Sequence, residues 1–113
     1  MSLSNESMKN YSFLKDMYND DYFPNFLVDK IKVILIELCE KIEKEAPNSP
    51  ESLFVLTHAA TKKINDLDEE FEDNDSELET GARESMGEDF ENIVRAYGFN
   101  DVDVEDVIAP REW

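Results

Sequence analysis

Residues 24–50 read PNFLVDKIKVILIELCEKIEKEAPNSP, and this stretch decides the fold. Pro24 suits the first turn of a helix, where its missing N–H costs nothing. From there Leu27, Val28, Ile31, Ile34, Leu35, Leu38, Cys39 and Ile42 recur at intervals of three and four, a broad apolar face at helical period. The pattern predicts one long helix to about Glu45. Val33 and Ile36 fall off that face, so neighbours are expected on more than one side. Ala46-Pro47-Asn48-Ser49-Pro50 then breaks it, and Ser49 before Pro50 is a cap and first-turn signal for the next helix.

Working outward, the third helix carries Leu53, Leu56, Ala60, Ile64, Leu67 and Phe71 and should run to about Asp73. Asn74 and Asp75 interrupt it. Ser76 with Glu79 three residues later fits a capping box for a fourth helix to about Tyr97, burying Leu78, Ala82, Met86, Phe90 and Ile93 and ending at Gly98. Before Pro24, Asn10 can cap a short helix over Tyr11 to Tyr18, followed by a turn over Asn19 to Phe23. After Gly98, Asp101 or Asp103 can cap a last short helix stopped before Pro110, with Trp113 folding back onto the bundle. With Gly 3 and Pro 4 in 113 residues there is little turn material for a many-stranded fold. The expectation is all-α: four main helices in a compact bundle with short flanking helices, one helical domain over 9–113 and a disordered leader over 1–8.

Composition narrows the function classes. Residues 65–113 hold 18 Asp and Glu against 3 Arg, a net of 3 − 18 = −15, so nearly all of the formal charge of −17 lies in the second half. The densest run is Asp68 to Glu79, with no base between Lys63 and Arg83. Such a field repels phosphates, so no direct nucleic-acid binding is expected, and it favours a basic protein partner. The longest aliphatic run, Val33 to Ile36, is far short of the ~20 residues a membrane helix needs, and the amino terminus lacks a signal-peptide core. A cytoplasmic protein, monomeric or weakly dimeric, is the simplest reading.

Cys39 is the only cysteine, which excludes an internal disulfide and a thiolate metal cluster. Asp73, Asp75, Glu77, Glu79 and Glu84 follow EF-hand spacing, but Leu78 stands where that loop needs glycine. No metal and no cofactor are expected. His58 is the single histidine and has no Cys or patterned Asp beside it, so no triad or zinc site is expected, nor any catalytic residue.

The candidate partner-binding residues are Glu69, Glu70, Glu72 and Asp73, placed in the last turns of the third helix against its dipole, then Asp75, Glu77, Glu84 and Glu88. Successive acids such as Glu84 and Glu88 lie about 6 Å apart along a helix, a spacing that permits phosphate mimicry. The competing reading is a solvated, solubilising face. An alternative site is an aromatic pocket for a small molecule, built from Tyr18, Tyr22, Phe23, Phe54 and His58. Tyr11, Phe13, Tyr18, Tyr22, Phe23 and Phe26 lie within 16 residues, and the simpler role for them is to pin the first helix to the bundle.

The strings Leu56-Thr57-His58-Ala59-Ala60-Thr61, Phe71-Glu72-Asp73-Asn74-Asp75-Ser76-Glu77, Ala96-Tyr97-Gly98-Phe99 and Ile108-Ala109-Pro110-Arg111-Glu112-Trp113 resemble those of a small bacterial family catalogued as a domain of unknown function. The resemblance covers about Lys9 to Trp113. It implies a bacterial cytosolic origin and carries no activity or site. Small acidic helical proteins of bacteria also include immunity proteins, which neutralise basic toxins, an analogy of shape and charge alone. The favoured expectation is therefore a non-enzymatic protein-binding domain, immunity-like or inhibitory; a small enzyme or ligand binder using the aromatic segment and His58 is the alternative.

Overall fold

The computed structural model describes residues 3–113, and every described element is helical. In chain order these are α1 (Glu6–Lys9), α2 (Lys15–Tyr18), α3 (Asn25–Glu45), α4 (Pro50–Asn65), α5 (Asp68–Asp73), α6 (Thr80–Ala96) and α7 (Val104–Val107). The all-α class is as the sequence predicts. Helix α3 pairs with α4, while α6 packs on α1, α2 and α7.

Helix α3 buries Leu27, Val28, Ile31, Leu35, Leu38, Cys39 and Ile42. Ile36 is half-buried, but Val33 is 53% exposed, so the predicted second neighbour reaches only part of that flank. Pro24 stands at the N-cap, and Ala46 ends the helix in the left-handed region at φ 45°. Ser49 caps α4 by accepting from the Ser52 N–H, and the Ser52 side chain returns the bond to the Ser49 N–H. The cap is thus a reciprocal box built from two serines.

The predicted third helix is divided. Leu67 N–H bonds to the Ile64 carbonyl at 2.9 Å and Asp66 N–H to that of Lys62 at 3.2 Å, which tightens the end of α4 before α5 begins. Leu67 and Phe71 keep the apolar spacing across the break. Its effect is to place Asp68, Glu69 and Glu70 in the first turn of α5. The acids Glu69 and Glu70 therefore do not oppose a long helix dipole as the sequence suggests.

The predicted capping box at Ser76 does not form. Asp75 sits at φ 60°, Asp75 N–H bonds to the Glu72 carbonyl and Ser76 N–H to that of Phe71. This is a Schellman closure of α5 with Asp75 in the left-handed position. Ser76 is carried into the interior and its hydroxyl has no partner, while Glu79 takes the N-cap of α6 without a side-chain bond. Gly98, at φ 96°, ends α6 as predicted, with Phe99 N–H bonded to the Val94 carbonyl.

Residues 3–8 pack on the fold, a correction to the leader expected over 1–8; Met1 and Ser2 lie outside the described residues. Leu3 and Met8 are buried. Asn5 caps α1 and its amide donates to the Ala96 carbonyl at 2.8 Å. The Glu43 carboxylate accepts from the Ser4 N–H, the Asn5 N–H and the Tyr97 hydroxyl. Burial pushes the Glu43 carboxyl up, but these three donors outweigh it and hold it below its usual range. Asn10 consequently ends α1 and caps nothing downstream. At the far end Asp103 caps α7, and Trp113 is buried as expected.

Candidate functional site

The acidic turn is built by α5, its Schellman closure and the strand of chain before α6. Phe71 and Leu78 are buried and anchor the two sides, and the Asn74 amide donates to the Glu70 carbonyl at 2.8 Å. Glu69, Glu72, Asp73, Asp75, Glu77 and Glu79 are exposed around this frame. Glu70 is set apart: Lys30 on α3 donates to it at 2.7 Å, and Glu70 is half-buried. That candidate therefore ties α5 to α3. Glu84 and Glu88 are exposed on α6 and line an open groove of about 670 Å³ between α6 and α7, together with Glu91, Arg83, Arg95 and Arg111. Arg95 pairs with Glu91 at 2.7 Å and Arg111 with Glu105 at 3.2 Å.

Of the five residues of the alternative pocket, Phe23 is buried and Tyr22 is 40% exposed. Tyr18 donates to Asp29 at 2.5 Å, and Tyr22 meets Phe23 edge to face at 5.2 Å. Phe54 stacks on His58 at 5.6 Å, and His58 Nε2 donates to the Asp106 carbonyl at 2.7 Å. None of these side chains lines the α6–α7 groove or the cleft described next.

A second acidic feature lies between the Tyr11–Leu14 loop and α6. Asp89 is 4% exposed. Its Oδ1 accepts from the Tyr11 hydroxyl at 2.5 Å and its Oδ2 from the Leu14 N–H at 2.7 Å, while the Asn92 amide donates to the Tyr11 oxygen at 3.0 Å. Leu14 holds φ 55°, a left-handed conformation that costs a non-glycine residue about 1–2 kcal/mol. Its fully buried side chain and the bond to Asp89 keep it there. Burial pushes the Asp89 carboxyl up; the Tyr11 and Leu14 bonds oppose this, Glu88 and Asp16 add to it, and the result is about 6. Tyr11 is raised to about 12 by burial and by its bond to Asp89. Above the cluster is a cleft of about 230 Å³ lined by Tyr11, Ser12, Lys15, Asp16, Ser85, Glu88, Asp89 and Asn92.

The sequence matches the model of a family of unknown function, DUF5713, over residues 7–113. The chain belongs to that family. Membership covers both acidic features and all of α1 to α7 except Glu6. No curated protein and no solved structure matches the chain.

Sequence reasoning missed Asp89 because it counts as one acid among 28. A signal was present: Asp89 falls at helical spacing with Ala82, Met86 and Ile93, all buried, whereas Glu84, Glu88 and Glu91 do not. Among the described residues no group of three or more His, Cys, Asp and Glu is arranged to hold a metal ion, and no helix is long and apolar enough to cross a membrane.

Proposed function

We propose that this is a non-enzymatic binding domain, immunity-like or inhibitory, that docks a basic protein partner through its acidic turn. The observation that carries the reading is the exposure of Glu69, Glu72, Asp73, Asp75, Glu77 and Glu79 on a turn whose backbone is closed by hydrogen bonds. A carboxylate array on a fixed frame can meet a cationic surface without first ordering itself, which lowers the cost of association. It also accelerates encounter with a positive partner. Glu84 and Glu88 extend the field along α6, and Glu70 contributes its structural tie to Lys30. A cytoplasmic location and a bacterial source fit this role, and the same charge disfavours nucleic acid as the partner.

The reading is tested by capture of partners from the source lysate on tagged protein, at low and high salt, beside a variant carrying Glu69→Gln, Glu72→Gln, Asp73→Asn and Asp75→Asn. Loss of the same basic protein at high salt and with the variant supports docking through the turn. Undiminished recovery by the variant overturns it.

A further inference from the structure

The Asp89 cleft has a charge imbalance that the fold does not use. The hydrogen bonds of the cluster run from Tyr11 and Leu14 to Asp89 and from Asn92 to Tyr11, so both donors to the buried carboxylate are neutral. The ion pairs of the described residues do not include it. A buried carboxylate is costly without a countercharge, and each of its oxygens retains acceptor capacity beyond one bond. Glu88 and Asp16 line the same cleft and make it more negative, against one cation, Lys15. Ser85 on α6 is 5% exposed, lines the cleft and takes no part in those hydrogen bonds. Among the described residues no hydrogen bond engages its hydroxyl, which leaves a donor and an acceptor on a residue at the wall of the cleft.

We propose that this cleft receives the ammonium or guanidinium head of a basic side chain from the docking partner, with Asp89, Glu88 and the Ser85 hydroxyl as acceptors. The inference rests on the docking reading and names what the partner inserts. An anion is disfavoured by three carboxylates around one lysine. The volume, about 230 Å³, is below that of sites for drug-sized ligands and suits a side-chain head with its outer methylenes. Tyr11 adds an aromatic neighbour for the cation. Glu88 lines both this cleft and the α6–α7 groove, so the cleft opens beside the acidic stripe.

The test uses the full chain and n-butylammonium chloride, which reproduces a lysine head, followed by ¹H–¹⁵N NMR at neutral pH. Sodium chloride and n-butanol serve as ionic and apolar controls. Saturable shifts are expected at the Leu14 and Ser85 amides and the Asn92 side chain. Ser85→Ala should weaken binding about two- to tenfold, as for one hydrogen bond, and Lys15→Met should tighten it up to about fivefold by removing the competing cation. Both substitutions leave the Tyr11–Asp89–Leu14 bonds in place, so neither depends on a variant that disturbs folding. Binding should also fall as pH drops through about 6, where Asp89 protonates among Tyr11, Lys15, Asp16 and Glu88. Shifts that sodium chloride reproduces, or that both variants leave unchanged, overturn the proposal. The probe acts without a partner, so the two readings fail separately. Saturation in the cleft with undiminished capture by the neutralised turn refutes the turn alone; turn-dependent capture without saturation refutes the cleft alone.

Discussion

Asp89 Oδ2 accepts the Leu14 N–H at 2.7 Å and so fixes a left-handed residue at the point where the N-terminal segment turns into α2. The bond links the charge state of one carboxylate to the stability of the fold. The folded Asp89 carboxyl lies at about 6 against an ordinary value of 3.8, so the folded state binds its proton more tightly than the unfolded state. Its contribution is fully present below about pH 4 and is lost as pH rises through 6, a change on the order of 2–3 kcal/mol. Thermal melts should show stability falling across that window in the wild type and a flatter profile in Asp89→Asn. Equal slopes would mean that other carboxylates account for the pH dependence.

Much of this fold was legible in the sequence, for reasons that particular residues make plain. The bounds of α3 and the start of α4 are legible because Pro24, Pro47 and Pro50 act locally on long apolar stripes. Gly98 and Asp103 likewise signal through their own backbone or side chain. The α4–α5 break was hidden because Leu67 and Phe71 preserve the spacing across it and neither glycine nor proline marks it. Ser76 looked like a cap, but the turn at Asp75 draws it inward, a tertiary effect that a four-residue window does not contain. Helix α1 is too short to show a period. Of the site, the exposed acids were legible as charge; the Asp89 cluster was not, because it depends on Tyr11 and Leu14, 78 and 75 residues away in the chain.

The N-terminal segment offers a direct check on its packing. Removing residues 1–7 deletes the buried Leu3 and the Ser4 and Asn5 bonds to Glu43. The expected loss is about 2–4 kcal/mol in chemical denaturation. A midpoint equal to that of the full chain would restore the segment to the status of a leader.

Ala46 closes α3 at φ 45° with its N–H bonded to the Ile42 carbonyl at 2.8 Å. Ala46→Gly relieves the left-handed penalty and gives back part of it as unfolded-chain entropy. A net gain of about 0.5–1 kcal/mol should raise Tm by about 2–5 °C. A lower Tm would show that Ala46 is not strained in solution.

Cys39 is fully buried, and burial pushes its thiol up to about 12, with the Glu43 and Glu40 carboxylates adding to the rise. The native protein should resist a thiol reagent at mildly alkaline pH and react completely once denatured. Rapid labelling of the folded chain would contradict the burial.

The most direct measurement of the docking account is the salt dependence of affinity for the basic protein recovered on the tagged chain, by calorimetry from about 0.05 to 0.5 M ionic strength, across which screening of exposed charges becomes strong. Wild type should lose affinity steeply over that range. The protein neutralised at Glu69, Glu72, Asp73 and Asp75 should bind more weakly at low salt and show a shallower slope. Equal affinities and equal slopes for the two would contradict the claim that the acidic turn is where the partner docks.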